Sequence, residues 1–183
     1  MRKLVLLLVV GVISSSMSFA GMGLSFGLSN SDLTSGNGNA PVIGIPIELN
    51  KKLVIEPLIS FNSYGRFNGT VVEDRTIFGL GGKVLFRLSE KETHPYVGGS
   101  LAYSPQSITI ENNGTDLEQT SSTFGVGGIF GIEHNISNQF TFAIEGSIGF
   151  TSNSDIEIEG TKVVDGYTNI GLGISAIFRM FLD

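Results

Sequence analysis

The sequence contains no cysteine, and this absence excludes two classes of exported protein. A small secreted scaffold held by disulfides and a lipoprotein anchored through an acylated cysteine both need that residue. Histidine is scarce as well, because only His94 and His134 are present, and both map to predicted short turns. No nucleophile or orienting acid can be assigned beside either one. We therefore interpret both as solvated turn residues and expect a protein that is not an enzyme and needs no cofactor.

Charge is also in short supply, since charged residues make up 15% of the chain. The surface of a soluble domain normally carries more charge than that. The formal net charge is −6, and lysine and arginine do not cluster. A nucleic-acid partner is excluded, because a binder needs a basic face. Tryptophan is absent, whereas glycine and phenylalanine are abundant, with 25 and 13 residues.

The first twenty residues follow the pattern of an export signal. Arg2 and Lys3 precede an apolar run over residues 4–13, and small and polar residues then lead to Ala20. The run is too short to span a bilayer as a helix, which needs about 20 residues. We expect residues 1–20 to be a cleaved signal peptide and residues 21–183 to form one domain.

The remainder of the chain shows a two-residue alternation of apolar and polar residues, interrupted by runs of Asn, Ser, Asp and Gly. This pattern predicts an all-β fold. An internal repeat at 46-residue spacing, beginning at Phe78, Phe124 and Ile170, supports the number of strands. We predict eight strands, near residues 21–29, 42–49, 53–62, 76–88, 96–104, 123–133, 140–150 and 169–182.

The predicted connections alternate in length. Short ones lie around residues 51–52, 90–94 and 135–138, and long ones cover residues 30–39, 63–75, 105–121 and 151–165. Transmembrane barrels combine short periplasmic turns with long external loops. The pattern therefore predicts an eight-stranded antiparallel up-and-down transmembrane β-barrel. Because proline cannot donate to a sheet ladder, Pro46 and Pro57 predict a bulge or a missing hydrogen bond between the second and third strands.

Alternation alone fits either a membrane barrel with an apolar exterior or a soluble barrel with an apolar cavity. One phase of the strands is almost purely apolar, as in Leu24, Phe26 and Leu28. The other phase is rich in glycine and serine, which suit a narrow lumen better than an exposed surface. An Arg or Lys on the lipid face near the midplane would cost about 2–4 kcal/mol. We therefore predict that the apolar phase faces lipid.

Every charge that can be placed within a strand falls on the glycine-rich phase. Four acids and three bases turned inward can pair with one another, whereas an unpaired buried charge is costly. We predict a lumenal ion-pair network that plugs the barrel. Its periplasmic part consists of Glu48, Arg87, Glu133 and Arg179. Its middle part consists of Glu56, Lys83 and Glu145.

Aromatic residues recur near both ends of the predicted strands. Such girdles are typical of membrane barrels, whose aromatic rings lie at the two interfaces. The alternative is a scatter of aromatics through a soluble β core. We predict an outer girdle of Phe61, Phe78, Tyr103, Phe124 and Phe150, and an inner girdle of Phe86, Phe130, Phe140 and Phe178.

The long connections are strongly acidic, and oxygen ligands of this kind suit Ca²⁺ or Mg²⁺. No fixed ligand spacing occurs, so a solvated acidic surface is the favoured interpretation and no metal site is assigned. Ile156 and Ile158 alternate with acids, which predicts that the last hairpin projects above the membrane. The ten acids are Asp32, Glu73, Asp74, Glu111, Asp116, Glu118, Asp155, Glu157, Glu159 and Asp165, against Arg66, Arg75 and Lys162.

The chain resembles the small OmpA/OmpX-type barrels and the wider porin-like family of outer-membrane proteins. The resemblance covers the whole of residues 21–183 and is carried by the alternating strands, the segment Pro95 to Gly99, the strand end Gly131 to Glu133, and the apolar last strand. Members end on an aromatic residue that the barrel-assembly machinery reads, whereas Phe181 is followed here by Leu182 and Asp183.

The resemblance implies a location in the bacterial outer membrane, at the cell surface of a Gram-negative envelope. It also implies contact with lipid and lipopolysaccharide and a role in membrane integrity, adhesion or limited permeation. We expect a structural or surface-interaction barrel, with divalent cations or surface ligands at the acidic loops. The alternative is a narrow porin-like channel for small solutes.

Overall fold

The computed structural model describes residues 21–30, 40–67, 71–112, 115–158 and 161–182, so the predicted signal peptide lies outside the described residues. In this part of the chain no helix is long and apolar enough to cross a membrane. The described residues form eleven strands: β1 (Gly21–Asn30), β2 (Ala40–Gly44), β3 (Ile47–Glu48), β4 (Leu53–Phe67), β5 (Val71–Arg87), β6 (Thr93–Asn112), β7 (Thr115–Asn135), β8 (Phe140–Asn153), β9 (Ile156–Ile158), β10 (Thr161–Val164) and β11 (Tyr167–Leu182).

These strands close into an antiparallel barrel with eight strand positions. The neighbours run from β1 through β2 and β3, which share one position, to β4, β5, β6, β7, β8 and β11, and β11 pairs with β1 again. The prediction of an eight-stranded up-and-down barrel is confirmed. A closed barrel satisfies the backbone hydrogen bonds across the membrane because it has no free edge.

The two prolines interrupt the ladder without changing its register. The pairs between β2 and β4, such as Ile43 with Ile59, and those between β3 and β4, such as Ile47 with Ile55, belong to one continuous register, so no bulge forms. Ile45 N donates to the carbonyl of Pro57 at 3.0 Å, and Gly23 N donates to the carbonyl of Pro46 at 2.9 Å. Neither proline can return a hydrogen bond. Of the two alternatives predicted, the missing hydrogen bond is the correct one.

Side chains alternate between lipid and lumen along every barrel strand, in the predicted orientation. The apolar phase is outside, and Leu172, with 77% of its surface exposed, shows how open this face is. Inside, a small apolar group packs between the charged residues: Val54, Leu85, Tyr96, Ile129, Ala143 and Ile177.

Some glycines of the wall make room for aromatic rings. A Cβ atom at Gly131 would lie 2.6 Å from the Tyr96 ring inside the barrel, and one at Gly146 would overlap the Phe130 ring on the outside. Each ring lies across the directly paired glycine of the next strand. The close packing of ring against backbone explains why these strand positions carry glycine.

The predicted long connections at residues 63–75 and 105–121 are wrong, because strands occupy most of them. β4 and β5 pair as far as Phe67 with Val72, and β6 and β7 pair as far as Asn112 with Thr115, which leaves two residues between β6 and β7. Asn-Gly at positions 113 and 114 is a sequence that favours a two-residue hairpin turn. Polar residues on both faces of these extensions hid the alternation, because outside the membrane neither face needs to be apolar.

The last predicted loop also contains strands. β9 pairs with β10 and, at Gln119 and Thr120, with β7. The extensions of β4 to β7 therefore continue through β9 to β10 as one sheet beyond the barrel, which we call the outer sheet. The predicted connection at residues 30–39 lies almost entirely outside the described residues.

Candidate functional site: the lumenal cluster

The seven strand charges predicted to face inward all project into the lumen and form one connected group, which we call the lumenal cluster. They come from β3, β4, β5, β7, β8 and β11. Most are almost completely buried, with exposed fractions of 0% for Glu56, 1% for Arg179 and 2% for Glu133. Glu48 is partly exposed at the end of the barrel that carries the short turns.

Arg179 occupies the centre of the cluster. Its guanidinium donates to both oxygens of Glu56, with Nη2 to Oε2 at 3.0 Å and Nε to Oε1 at 3.4 Å. The same Nη2 donates to Glu145 Oε1 at 3.0 Å, and Nη1 lies 3.6 Å from Glu133 Oε1. The guanidinium also lies over the ring of Tyr96, 5.9 Å from its centre. One cation therefore connects three carboxylates across the lumen.

The periplasmic part of the cluster is built around Arg87 and Glu133. Arg87 Nε donates to Glu133 Oε2 at 3.2 Å, Nη2 lies 3.4 Å from Oε1, and Nη1 forms a short contact with Glu48. Thr141 donates its hydroxyl to Glu133 Oε1 at 2.7 Å. The fork of Arg87 thus holds two carboxylates from opposite sides of the lumen, which is a geometry that favours arginine over lysine.

Lys83 and Glu145 form the middle part, with Nζ and Oε2 2.5 Å apart. Tyr96 donates its hydroxyl to the other oxygen of Glu145 at 2.8 Å. Tyr96 and Thr141 were not predicted as members, yet both lie on the lumen-facing phase of their strands. That phase was the signal that could have identified them.

His94 belongs to the cluster, and its interpretation as a solvated turn residue is wrong. It lies in β6 with 3% of its surface exposed, and Nε2 is 3.2 Å from Glu133 Oε2. Nδ1 is 2.9 Å from the carbonyl oxygen of Lys91. His94 therefore bridges the carboxylate of Glu133 and the backbone at the periplasmic end of the cluster.

His134 fits its prediction better, because it is exposed. It lies in β7 rather than in a turn, and Nδ1 is 2.8 Å from the Thr93 hydroxyl. The two histidines occupy neighbouring strands near the same end, and only the phase of the strand separates the buried ring from the exposed one.

The predicted aromatic girdle residues all belong to the outward phase. At the outer end Phe61 pairs directly with Phe78, and Tyr103 pairs with Phe124. At the other end the rings of Phe140 and Phe178 have centres 5.7 Å apart. The further members Phe86, Phe130 and Phe150 are exposed on the outside, as is Phe142, which was not predicted.

Acidic residues outside the barrel make a few contacts in the described part of the chain, among them the hydrogen bond that Ser107 donates to Glu118 at 3.3 Å. Lys162 Nζ lies 3.0 Å from Asp155 and 2.6 Å from Asp165. The backbone N–H of Gly166 donates to Asp155, and this bond, with Lys162, holds the pKa of Asp155 below its usual range. No group of three or more potential metal-ligating side chains occurs among the described residues, so no metal site is assigned.

The sequence matches a family model described as "Outer membrane protein beta-barrel domain" over residues 4–178. The chain belongs to this family. Outer membrane β-barrel domains lie in the bacterial outer membrane, and this location and the predicted resemblance are confirmed. Lipid and lipopolysaccharide are therefore the surroundings of this outer membrane barrel.

Solved structures of outer membrane barrels are similar in fold. A major outer membrane protein from Thermus thermophilus has 12% identity and a TM-score of 0.50, with 88% of this chain and 99% of that chain covered. Ail, the attachment invasion locus protein of Yersinia pestis, has 14% identity and a TM-score of 0.49, with 87% and 95% covered. Neisserial surface protein A has 16% identity and a TM-score of 0.44, with 88% and 95% covered. No curated protein sequence matches the chain significantly.

Proposed function

We propose that this protein is a closed outer-membrane barrel with a structural and surface-interaction role, and that the lumenal cluster plugs its lumen. The observation that carries the proposal is the burial of the connected charges, with Glu56, Arg179 and Glu133 nearly inaccessible to solvent. Side chains can fill an eight-stranded barrel completely. Paired charges that bridge the lumen from opposite walls leave little room for a solute.

The outer sheet supports the surface-interaction part of the proposal. Long paired strands hold the polar residues of β6 and β7 away from the membrane, and the contact of β9 with β7 braces the last hairpin against them. Such a sheet offers a fixed surface to lipopolysaccharide, to cations or to another cell surface. Assembly through the barrel-assembly machinery remains a prediction.

Single-channel recording of the refolded barrel in planar bilayers tests the plug. The wild type is expected to show no reproducible conductance. The double variant Arg87→Ala, Glu133→Ala removes two bridging side chains and is expected to conduct, whereas Lys52→Ala, at an exposed turn position, should remain silent. If the double variant were silent too, other side chains would close the lumen and the cluster would not be the plug.

A narrow channel for small solutes is the second candidate. The observation that favours it is the partial exposure of Ser100, Gly127 and Ser147, which face the lumen on the outer side of the cluster. Reproducible conductance of the wild type, increased in the double variant, would establish this function in place of the closed barrel.

A further inference from the structure

A polar cavity of about 230 Å³ lies at the outer mouth of the lumen. Its walls are the lumen-facing residues of β5, β6, β7, β8 and β11, together with Ser154 before β9 and Ile156 at its start. The lumenal cluster lies deeper in the barrel, so the cavity is separate from the proposed plug. None of the residues of the cluster lines it.

The chemistry of the walls is unusual for the outer part of this acidic protein. The cavity is lined by one cation, Arg75, by four side-chain amides, by several hydroxyl groups and by Tyr167, and no carboxylate is among its lining residues. A chain of hydrogen bonds fixes several of these groups. Arg75 donates to Gln106 Oε1, the Gln106 amide nitrogen donates to Thr123 at 3.2 Å, and Thr123 donates to Asn153 Oδ1 at 2.6 Å.

The direction of this chain determines which groups a ligand would meet. Because Asn153 accepts through its oxygen, its amide group turns N–H donors toward further partners. Arg75 is a donor in every orientation. Gln106 and Thr123 are almost fully buried, so the arrangement is built into the wall. The site is consequently rich in donors and held in place by buried groups, which suits a ligand that is rich in acceptors and carries negative charge.

The size and the apolar lining narrow the ligand class further. A cavity of about 230 Å³ has room for one sugar ring. Ile108, Ile156 and the ring of Tyr167 provide the apolar contact that the face of a sugar ring needs.

We propose that this cavity binds a single sugar unit that carries one negative charge, such as a uronic acid. Arg75 faces the anionic group, and the amides and hydroxyls of β7, β8 and β11 bind the sugar hydroxyls. The inference goes beyond the closed-barrel function, because a ligand can bind at the mouth whether or not the lumen conducts.

Titration of the refolded full barrel in micelles tests the site, with D-galacturonate, D-galactose and inorganic phosphate as probes and saturation-transfer NMR and calorimetry as readouts. Galacturonate is expected to bind about tenfold or more tightly than either galactose or phosphate, since only it offers both the charge and the hydroxyls. Arg75→Gln is expected to weaken galacturonate about tenfold and to make its affinity equal to that of galactose. The matched control Lys52→Gln removes a cation at the opposite end and should change nothing.

A second variant keeps the test valid if Arg75→Gln does not fold. Asn153→Asp has nearly the same shape and places a carboxylate in the cavity, so it is expected to abolish galacturonate binding while galactose binding persists. The heat-dependent gel shift reports folding of each variant. The proposal is overturned if galacturonate fails to bind the folded wild type at millimolar concentration, if phosphate binds as tightly as galacturonate, or if folded Arg75→Gln binds galacturonate unchanged.

Discussion

Replacement of Arg179 by methionine is the sharpest test of how the lumenal cluster stabilises the barrel. The substitution retains most of the side-chain volume but removes three hydrogen bonds, two to Glu56 and one to Glu145. Glu145 keeps Lys83 and Tyr96, whereas Glu56 keeps the Ser25 hydroxyl and the attraction of Lys83, its neighbour on β5, which is itself bonded to Glu145. Glu56 is completely buried, so the loss of Arg179 leaves its carboxylate only partly compensated inside the barrel.

The cost of removing the partner of Glu56 can be estimated in two ways. Breaking a buried ion pair by removing one partner costs about 3–5 kcal/mol. Glu56 can also escape by taking up a proton, and for a carboxyl of ordinary pKa this costs about 4 kcal/mol at pH 7. We therefore expect Arg179→Met to lower the free energy of unfolding by about 3–4 kcal/mol at pH 7. The deficit should shrink by about 1.4 kcal/mol for each unit that the pH falls, because protonation of Glu56 becomes easier.

Equilibrium unfolding in urea, with the barrel in lipid vesicles and at pH 7 and pH 5, measures both quantities. The double variant Arg179→Met, Glu56→Leu removes both charges and is expected to recover most of the loss, since apolar replacement of a buried pair is often neutral or stabilising. The control Lys52→Met alters an exposed cation and should stay within about 0.5 kcal/mol of the wild type. A loss below about 1 kcal/mol for the single variant, with no dependence on pH, would refute the conclusion that the lumenal charges are paired and shielded from water.

Two further predictions concern other parts of the barrel. Gly131→Ala should cost about 1–3 kcal/mol in urea unfolding, because the new methyl group overlaps both the Tyr96 ring and the backbone carbonyl oxygen of Ile144, and Tyr96→Ala should remove only the part of this penalty that comes from the ring. The contact of Asp155 with Lys162 should slow hydrogen exchange of the backbone amides of β9 and β10. This protection should be present above pH 4 and be lost at lower pH, because the lowered pKa of Asp155 makes its carboxylate the form that stabilises the hairpin. In Asp155→Asn the protection should no longer depend on pH.

The strands inside the membrane could be predicted because the bilayer forces a strict alternation on them. Leu24, Phe26 and Leu28 can only face lipid, and Glu56 or Arg179 can only face inward, so the phase of one residue fixed its neighbours. The alternation along each strand was therefore enough to predict that these charged side chains point into the same lumen.

The partners within the lumen could not be predicted in the same way. Glu56 and Arg179 are separated by 123 residues, and their contact depends on the stagger between strands that are not adjacent in sequence. His94 was misjudged because a histidine beside a turn can point either way. Its partner Glu133 becomes visible only when the register of β6 with β7 is known.

The outer sheet escaped prediction for a different reason. Beyond the membrane, water satisfies polar groups on both faces, so strands such as the ends of β6 and β7 no longer require an apolar phase. Only the Asn-Gly pair at positions 113 and 114 carried a local signal for the hairpin, and it says nothing of how far the paired strands extend.

Pro46 and Pro57 leave the part of the barrel wall from β1 to β4 short of inter-strand hydrogen bonds. Pro46 lies opposite Glu56 in the register, and the missing hydrogen bonds fall on both sides of the strand position shared by β2 and β3. The ion pair from Glu56 on β4 to Arg179 on β11 spans this part of the wall from the inside, across β2, β3 and β1. The ion pair therefore holds β4 and β11 together behind the part of the wall that lacks hydrogen bonds. Lateral stress from the bilayer that would spread these strands must first stretch a buried salt bridge.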